Sequence, residues 1–159
     1  MVEVTRSRKK DPVLHLEPEE RELMHQLLSE MRTLLEAELP RQDDVTRRLF
    51  PDAFEDEHES EEFRELVGDE LRAGKLAAVN TFDADVTGRG SAEIVLEAEK
   101  VAGLLAVLTD MRLAIGTRLG VTEDTMGAEI DPDDPDAAAW SVLHWLGWVQ
   151  ESVLSAIAR

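Results

Sequence analysis

The sequence predicts an all-α fold, one helical bundle of about five to six helices, and three observations predict it. Apolar residues recur at helical spacing through several long stretches. Aromatics make up only 4% of the chain and Tyr is absent, so the core must come from Leu, Val, Ala, Ile and Met, which favours packed helices over a β-sandwich. A chain of 159 residues with 43% hydrophobic content is large enough to bury one real core.

Residues 1–12 are expected to form a mobile N-terminal arm, leaving 13–159 as the helical domain. The first helix should start near Pro18, with Glu17, Glu19 and Glu20 at its positive end. Leu23, Met24, Leu27, Leu28, Met31, Leu34 and Leu35 then fill one arc of roughly 140° at 100° per residue, and Pro40 ends the helix. A short helix at Asp44–Phe50 is stopped by Pro51. The acidic stretch Asp56–Glu62 opens a further helix carrying Phe63, Leu66 and Val67, which Gly68 should break; another helix runs from Asp69 to Phe82.

Residues 83–96 read two ways. Val86, Ile94 and Leu96 flank Thr87-Gly88-Arg89-Gly90-Ser91, which suits either a small β-hairpin or a plain loop. Glu97 to Leu119 reads as a long, nearly apolar helix closed by Gly120, and a helix of that character belongs in the middle of a bundle. An acidic, Pro-containing loop covers 121–136, and the last helix spans Pro135–Ala158.

Charge and composition narrow the function. The formal net charge is −18, which opposes phosphate backbones and anionic membranes and favours basic partner surfaces. With no cysteine, disulfides, thiol redox sensing, Cys nucleophiles and Cys-ligated zinc are excluded. Arg6, Arg8, Lys9 and Lys10 are followed by no apolar run, so no signal peptide is read, and no stretch suits a membrane span; the expected location is cytoplasmic. His15, His25, His58 and His144 are scattered and no HExxH occurs. Asp131, Asp133, Asp134 and Asp136 crowd one loop, but Pro132, Pro135 and the missing Gly and Glu rule out an EF-hand. No G-x-S-x-G, P-loop or dinucleotide fingerprint is present. No catalytic, cofactor or metal residue is therefore assigned, and an enzyme is not expected.

Two anomalies select candidate contact residues. Arg72 and Lys75 project into the apolar arc set by Leu71, Leu76, Ala78, Val79 and Phe82. Arg112 and Arg118 fall within or at the edge of the arc set by Val101, Leu104, Leu105, Leu108, Met111, Ile115 and Leu119. Such cations must pair with carboxylates, extend their heads to water, or line a basic pocket for an acidic peptide or small anion. On the last helix, Trp148 lands in the polar arc and Trp140 at its edge, so each is covered by the chain or used as a contact, a homodimer included. Gln150 lands among aliphatic residues and needs a buried partner, for which Arg118 or a helix-end carbonyl is nominated. Gly116 and Gly120 are spaced for close packing, with Trp145 or Trp148 as the neighbour expected for Gly116 and a simple C-cap role for Gly120.

Four segments taken together carry a family resemblance: Arg47-Arg48-Leu49-Phe50-Pro51-Asp52-Ala53, Leu71-Arg72-Ala73-Gly74-Lys75-Leu76, Arg112 to Gly120, and Trp145-Leu146-Gly147-Trp148. Over residues 13–158 the chain resembles an actinobacterial family long catalogued as a domain of unknown function and now associated with the oxidative-stress transcription regulator AosR. The resemblance implies a regulator working with a sigma factor or RNA polymerase, and it implies no catalytic residues. Disulfide-based sensing is linked to that family; a chain without cysteine departs from it there.

Three functions follow as expectations. The first is a non-enzymatic transcription and stress-response regulator that binds a sigma factor or polymerase subunit, its acidic face complementing a basic partner. The second is a winged-helix DNA-binding regulator, with Asp69–Phe82 as recognition helix and 83–96 as wing. Asp69 and Glu70 oppose that reading, countered only by Arg72, Lys75 and Arg89, so nucleic acid is the disfavoured partner. The third is an oligomeric scaffold with no transcription role.

Overall fold

A computed structural model describes residues 2–37, 44–50, 61–126 and 129–158. In chain order these residues form β1 (Glu3–Arg6), β2 (Pro12–Leu16), α1 (Pro18–Glu36), α2 (Asp44–Leu49), α3 (Glu61–Val86), β3 (Ala92–Val95), α4 (Ala98–Leu119), the single turn α5 (Glu123–Met126) and α6 (Ala137–Ile157). The protein is mostly helical, with one small antiparallel sheet of order β1-β2-β3, so the all-α expectation needs correcting. The expected ends at Pro40 and Pro51, and the acidic residues 56–60, lie outside the described residues.

One strand of the sheet, β1, comes from the segment expected as an arm, and β2 follows it directly. Val4 pairs with Leu14 across β1 and β2, and Leu14 pairs with Ile94 across β2 and β3. Alternation along each strand sends Leu14, Leu16, Ala92 and Ile94 into the core. The outer face carries a polar ladder: Thr5 Oγ1 lies 2.6 Å from His15 Nε2, and His15 Nδ1 lies 3.4 Å from Glu93. Lys10, in the left-handed region at φ 68°, turns the chain from β1 to β2. Residues 83–96 therefore form no hairpin of their own; 83–86 finish α3, and β3 pairs with the N-terminal strand β2. Strands of four or five residues give too short an alternation to separate from loop by pattern alone.

α1 begins on Pro18, and the Glu20 carboxylate accepts the Glu17 N–H at 3.0 Å, satisfying one of the orphan donors at a helix start. Its buried stripe is Met24, Leu27, Leu28, Met31 and Leu35, within the expected arc. α1 packs along α3, and α3 is continuous through Gly68, where a break was expected. A mid-helix glycine costs about 1 kcal/mol relative to Ala, and the packing of α3 on α1 and α4 overrides that preference.

Two polar arrangements join α1 to α3. Arg21 donates to the carbonyls of Val86, Thr87, Arg89 and Ser91 at 2.9–3.0 Å, satisfying the end of α3 and shaping the turn into β3. Gly88 sits at φ 131°, and a Cβ there would lie 2.8 Å from the Arg21 guanidinium. One turn further along, Asp83 accepts from Arg32 Nη2 at 2.8 Å and lies 2.5 Å from His25 Nδ1, while Arg32 Nε donates to Asn80 at 2.8 Å. Burial would raise the Asp83 carboxyl, but the hydrogen bonds and charges of Arg32 and His25 outweigh it and hold the group below its ordinary value. A folded value below the unfolded one, about 3.9, means the stabilisation is present above that pH and is lost as pH falls through the folded value. Asp83→Asn is expected to cost about 1–2 kcal/mol at neutral pH, discounted for the water reaching His25 and Arg32. The penalty should hold near neutrality and shrink only as pH falls below the ordinary carboxylate value, read from urea midpoints at neutral and at progressively more acidic pH.

α4 packs against α2, α3 and α6 and ends at Gly120, left-handed at φ 68°, with the Val121 N–H closing on the Gly116 carbonyl at 2.9 Å. Gly116 therefore faces Val121, 3.7 Å from a Cβ position, rather than Trp145 or Trp148. α6 packs on α4 with Leu143, Leu146, Val149, Val153 and Ala156 buried, and its other side contacts β1 and β2. Arg6 of β1 donates to the Ala156 carbonyl at 2.7 Å near the end of α6. The segments nominated as recognition helix and wing are built differently: Asp69–Phe82 lies inside the 26-residue α3, and β3 leads directly into α4. None of the helices among the described residues is long and apolar enough to cross a membrane.

Candidate functional site

α6 packs on α4, and Gly147 lies in that contact, against Arg112. Its missing side chain makes room for Arg112, whose guanidinium lies 3.6 Å from the position a Cβ would occupy. Arg112 Nη1 donates to Gln150 Oε1 at 2.6 Å, and Gln150 Nε2 donates to Thr109 Oγ1 at 3.0 Å. Arg112 and Thr109, not Arg118 or a helix-end carbonyl, thus satisfy Gln150. Arg112 Nε is buried with no hydrogen-bond partner among the described residues.

This fixed guanidinium lines a groove of about 950 Å³ between α2, α4 and α6. Arg47 and Arg48, from the last turn of α2, line it as well. Leu113 and Val121 supply apolar lining, Thr109, Thr117 and Thr122 supply hydroxyls, and Asp44 is the one carboxylate among the lining residues. None of the three arginines forms an ion pair among the described residues. On a chain of net charge −18 the described lining of this groove is locally cationic. Chemically the described lining offers forked donors to an anion beside a surface that can cover an apolar body.

The other candidate residues lie elsewhere. Lys75 donates to both oxygens of the buried Asp110 at 2.9 Å, an internal ion pair between α3 and α4. Arg72 lies 3.8 Å from the exposed Asp69. Both cations also sit 5.9 Å from the centroid of the buried Phe50, at the outer limit for a cation–π contact. Arg118 is exposed and lines a second groove of about 390 Å³, mostly apolar, between α1 and α4. Trp140 is partly buried edge-on to His144, with ring centroids 6.5 Å apart. Trp148 is 51% exposed and borders a small recess with Val4, Glu151, Ser152 and Ser155.

Sequence reasoning named Arg112 for its place on an apolar arc, but it took Arg47 and Arg48 only as part of a family motif. Their exposed positions on a six-residue helix gave no periodic signal. Trp145, expected as a motif residue and as a neighbour of Gly116, donates instead to Glu20 at 3.2 Å and ties α6 to the start of α1. The aspartates of the 131–136 loop shape their own turns, Asp131 accepting from Asp133 N–H and Asp134 from Asp136 N–H. No group of three or more potential metal ligands converges among the described residues.

Fold and site together define a mainly helical domain with a three-stranded sheet formed around its N-terminal hairpin and a cation-lined groove on one side. The chain belongs to the family of domain of unknown function DUF2017, whose model matches residues 1–157. No curated protein and no solved structure matches it significantly.

Proposed function

We propose that this chain is a non-enzymatic regulatory protein of the cytoplasm that acts by protein–protein contact, with a sigma factor or RNA polymerase subunit as partner in transcriptional stress control. The observation that carries the contact is Trp148, a large indole half exposed beside β1 on an otherwise strongly acidic chain. A half-exposed Trp has the composition of an interface hot spot, and the surrounding charge selects a basic partner and speeds encounter. The transcriptional setting comes from the sequence resemblance to the AosR-associated family, and the input signal is not cysteine oxidation, because the chain has no cysteine.

The test is affinity purification from the native cytoplasm with mass spectrometry, comparing the parent chain with Trp148→Ala at low and high salt. The parent should capture a sigma factor or polymerase subunit, and the variant should recover at least about tenfold less, the effect of losing a hot spot worth about 1.4 kcal/mol or more. Equal capture by both, or capture of no transcription component, would refute the reading. A stable dimer that depends on Trp148 and captures nothing else would replace it with a scaffold.

A further inference from the structure

We propose that the groove between α2, α4 and α6 is a binding site for an organic phosphate, a small molecule whose phosphoryl group or groups sit on Arg47, Arg48 and Arg112 and whose body lies against Leu113 and Val121. Four observations lead there. Arg112 is preorganised: Gln150 holds one of its nitrogens at 2.6 Å, and the guanidinium packs over Gly147. Its Nε is nonetheless buried, and among the described residues it has no hydrogen-bond partner and the guanidinium no carboxylate partner. A partly desolvated cation in that state is costly, and an anion at the groove would offset the cost.

The second observation is the company it keeps. In a chain with 35 acidic residues against 17 basic ones, three arginines line one groove, and among its described lining residues Asp44 is the one carboxylate. Third, three forked cations exceed what one carboxylate needs; a phosphoryl group carries a charge of about −1.5 to −2 and three acceptor oxygens. Fourth, a groove of about 950 Å³ is far larger than a bare phosphate and lies within the size range of sites for organic ligands. Its threonine hydroxyls and Gln150 supply further polar contacts.

This site is independent of the proposed Trp148 contact. Gln150 and Trp148 are two positions apart on α6 and so point about 160° away from one another.

Isothermal titration of the full chain with ATP and, separately, with tripolyphosphate, in magnesium-free buffer at low ionic strength, tests the proposal. Saturable one-to-one binding of either probe is expected. ATP binding alone would mean that the organic body contributes, and tripolyphosphate binding alone that the phosphates dominate. Arg47→Gln/Arg48→Gln, which alters only exposed side chains, and Arg112→Lys, which keeps the charge but loses the fork, should each weaken binding at least tenfold. Trp148→Ala should leave it unchanged. No saturable binding of either probe would overturn the proposal. So would binding indifferent to the arginine substitutions, or an oligo-glutamate peptide that binds where both probes fail.

Discussion

Replacing Lys75 with methionine is expected to lower stability by about 2–3 kcal/mol at neutral pH, since it strands a buried carboxylate. Asp110 is buried within the α3–α4 contact, and both its oxygens accept from the Lys75 ammonium. Burial raises the Asp110 carboxyl above its ordinary value, and the hydrogen bonds and charge of Lys75 only partly counter it. A raised folded value makes the group's contribution most favourable below the unfolded value, and that contribution fades as pH rises through the folded value. With Lys75 gone the carboxyl should rise further. The deficit of the variant should therefore be smallest in acid and grow towards neutrality. Comparing variant with parent at each pH cancels the opposite-signed contribution of Asp83, which touches neither residue. Adding Asp110→Leu should restore most of the loss, because a buried pair is often replaceable by packed apolar groups. Urea midpoints for the parent, the single variant and the double variant at three pH values check this; a single variant as stable as the parent would show that water solvates Asp110.

Deleting residues 2–10 is the second large effect, an expected loss of about 3 kcal/mol together with self-association. Val2 is buried, Val4 packs against the core, and Arg6 holds the Ala156 carbonyl. Burial of a valine side chain contributes roughly 1.5–3 kcal/mol and a hydrogen bond of this kind about 1; the regained freedom of the deleted segment offsets part of the sum. The deletion also strips one side of β2, leaving the backbone groups of Pro12–Leu16 as an open edge. Thermal melting and light scattering at several protein concentrations would report both consequences. An unshifted melt would instead fit the detached arm that the sequence suggested.

Much of the helical framework was legible, because α1, α4 and α6 combine long apolar stripes with conventional signals at their ends, Pro18 for α1 and Gly120 for α4. Gly68 misled because propensity is weighed locally, whereas α3 is held by two neighbouring helices. The sheet was hidden for a related reason: its three strands are separated in sequence, and none is long enough to declare itself. The arc that singled out Arg112 misses Asp110, which falls nearly opposite it at about 100° per residue; the face α4 buries is turned towards Val107 and Ala114, and so the partner of Lys75 stayed hidden. No such test finds the convergence of Arg47 and Arg48 with Arg112, which is a product of how α2 docks on α4. Arg21 was equally invisible, since its four acceptors are backbone carbonyls 65 to 70 positions away.

The placement of β2 bears on how the chain is made. On a ribosome the β1–β2 hairpin and α1 emerge long before β3, whose Val95 must align with Val13. Throughout that interval β2 lacks one neighbour and Leu14 and Leu16 lack their cover, so native pairing of the sheet cannot be completed early in elongation. Non-local closure of this kind slows folding and lengthens exposure of apolar surface. A nascent chain arrested before residue 92 should accordingly be a better chaperone substrate than one released after β3.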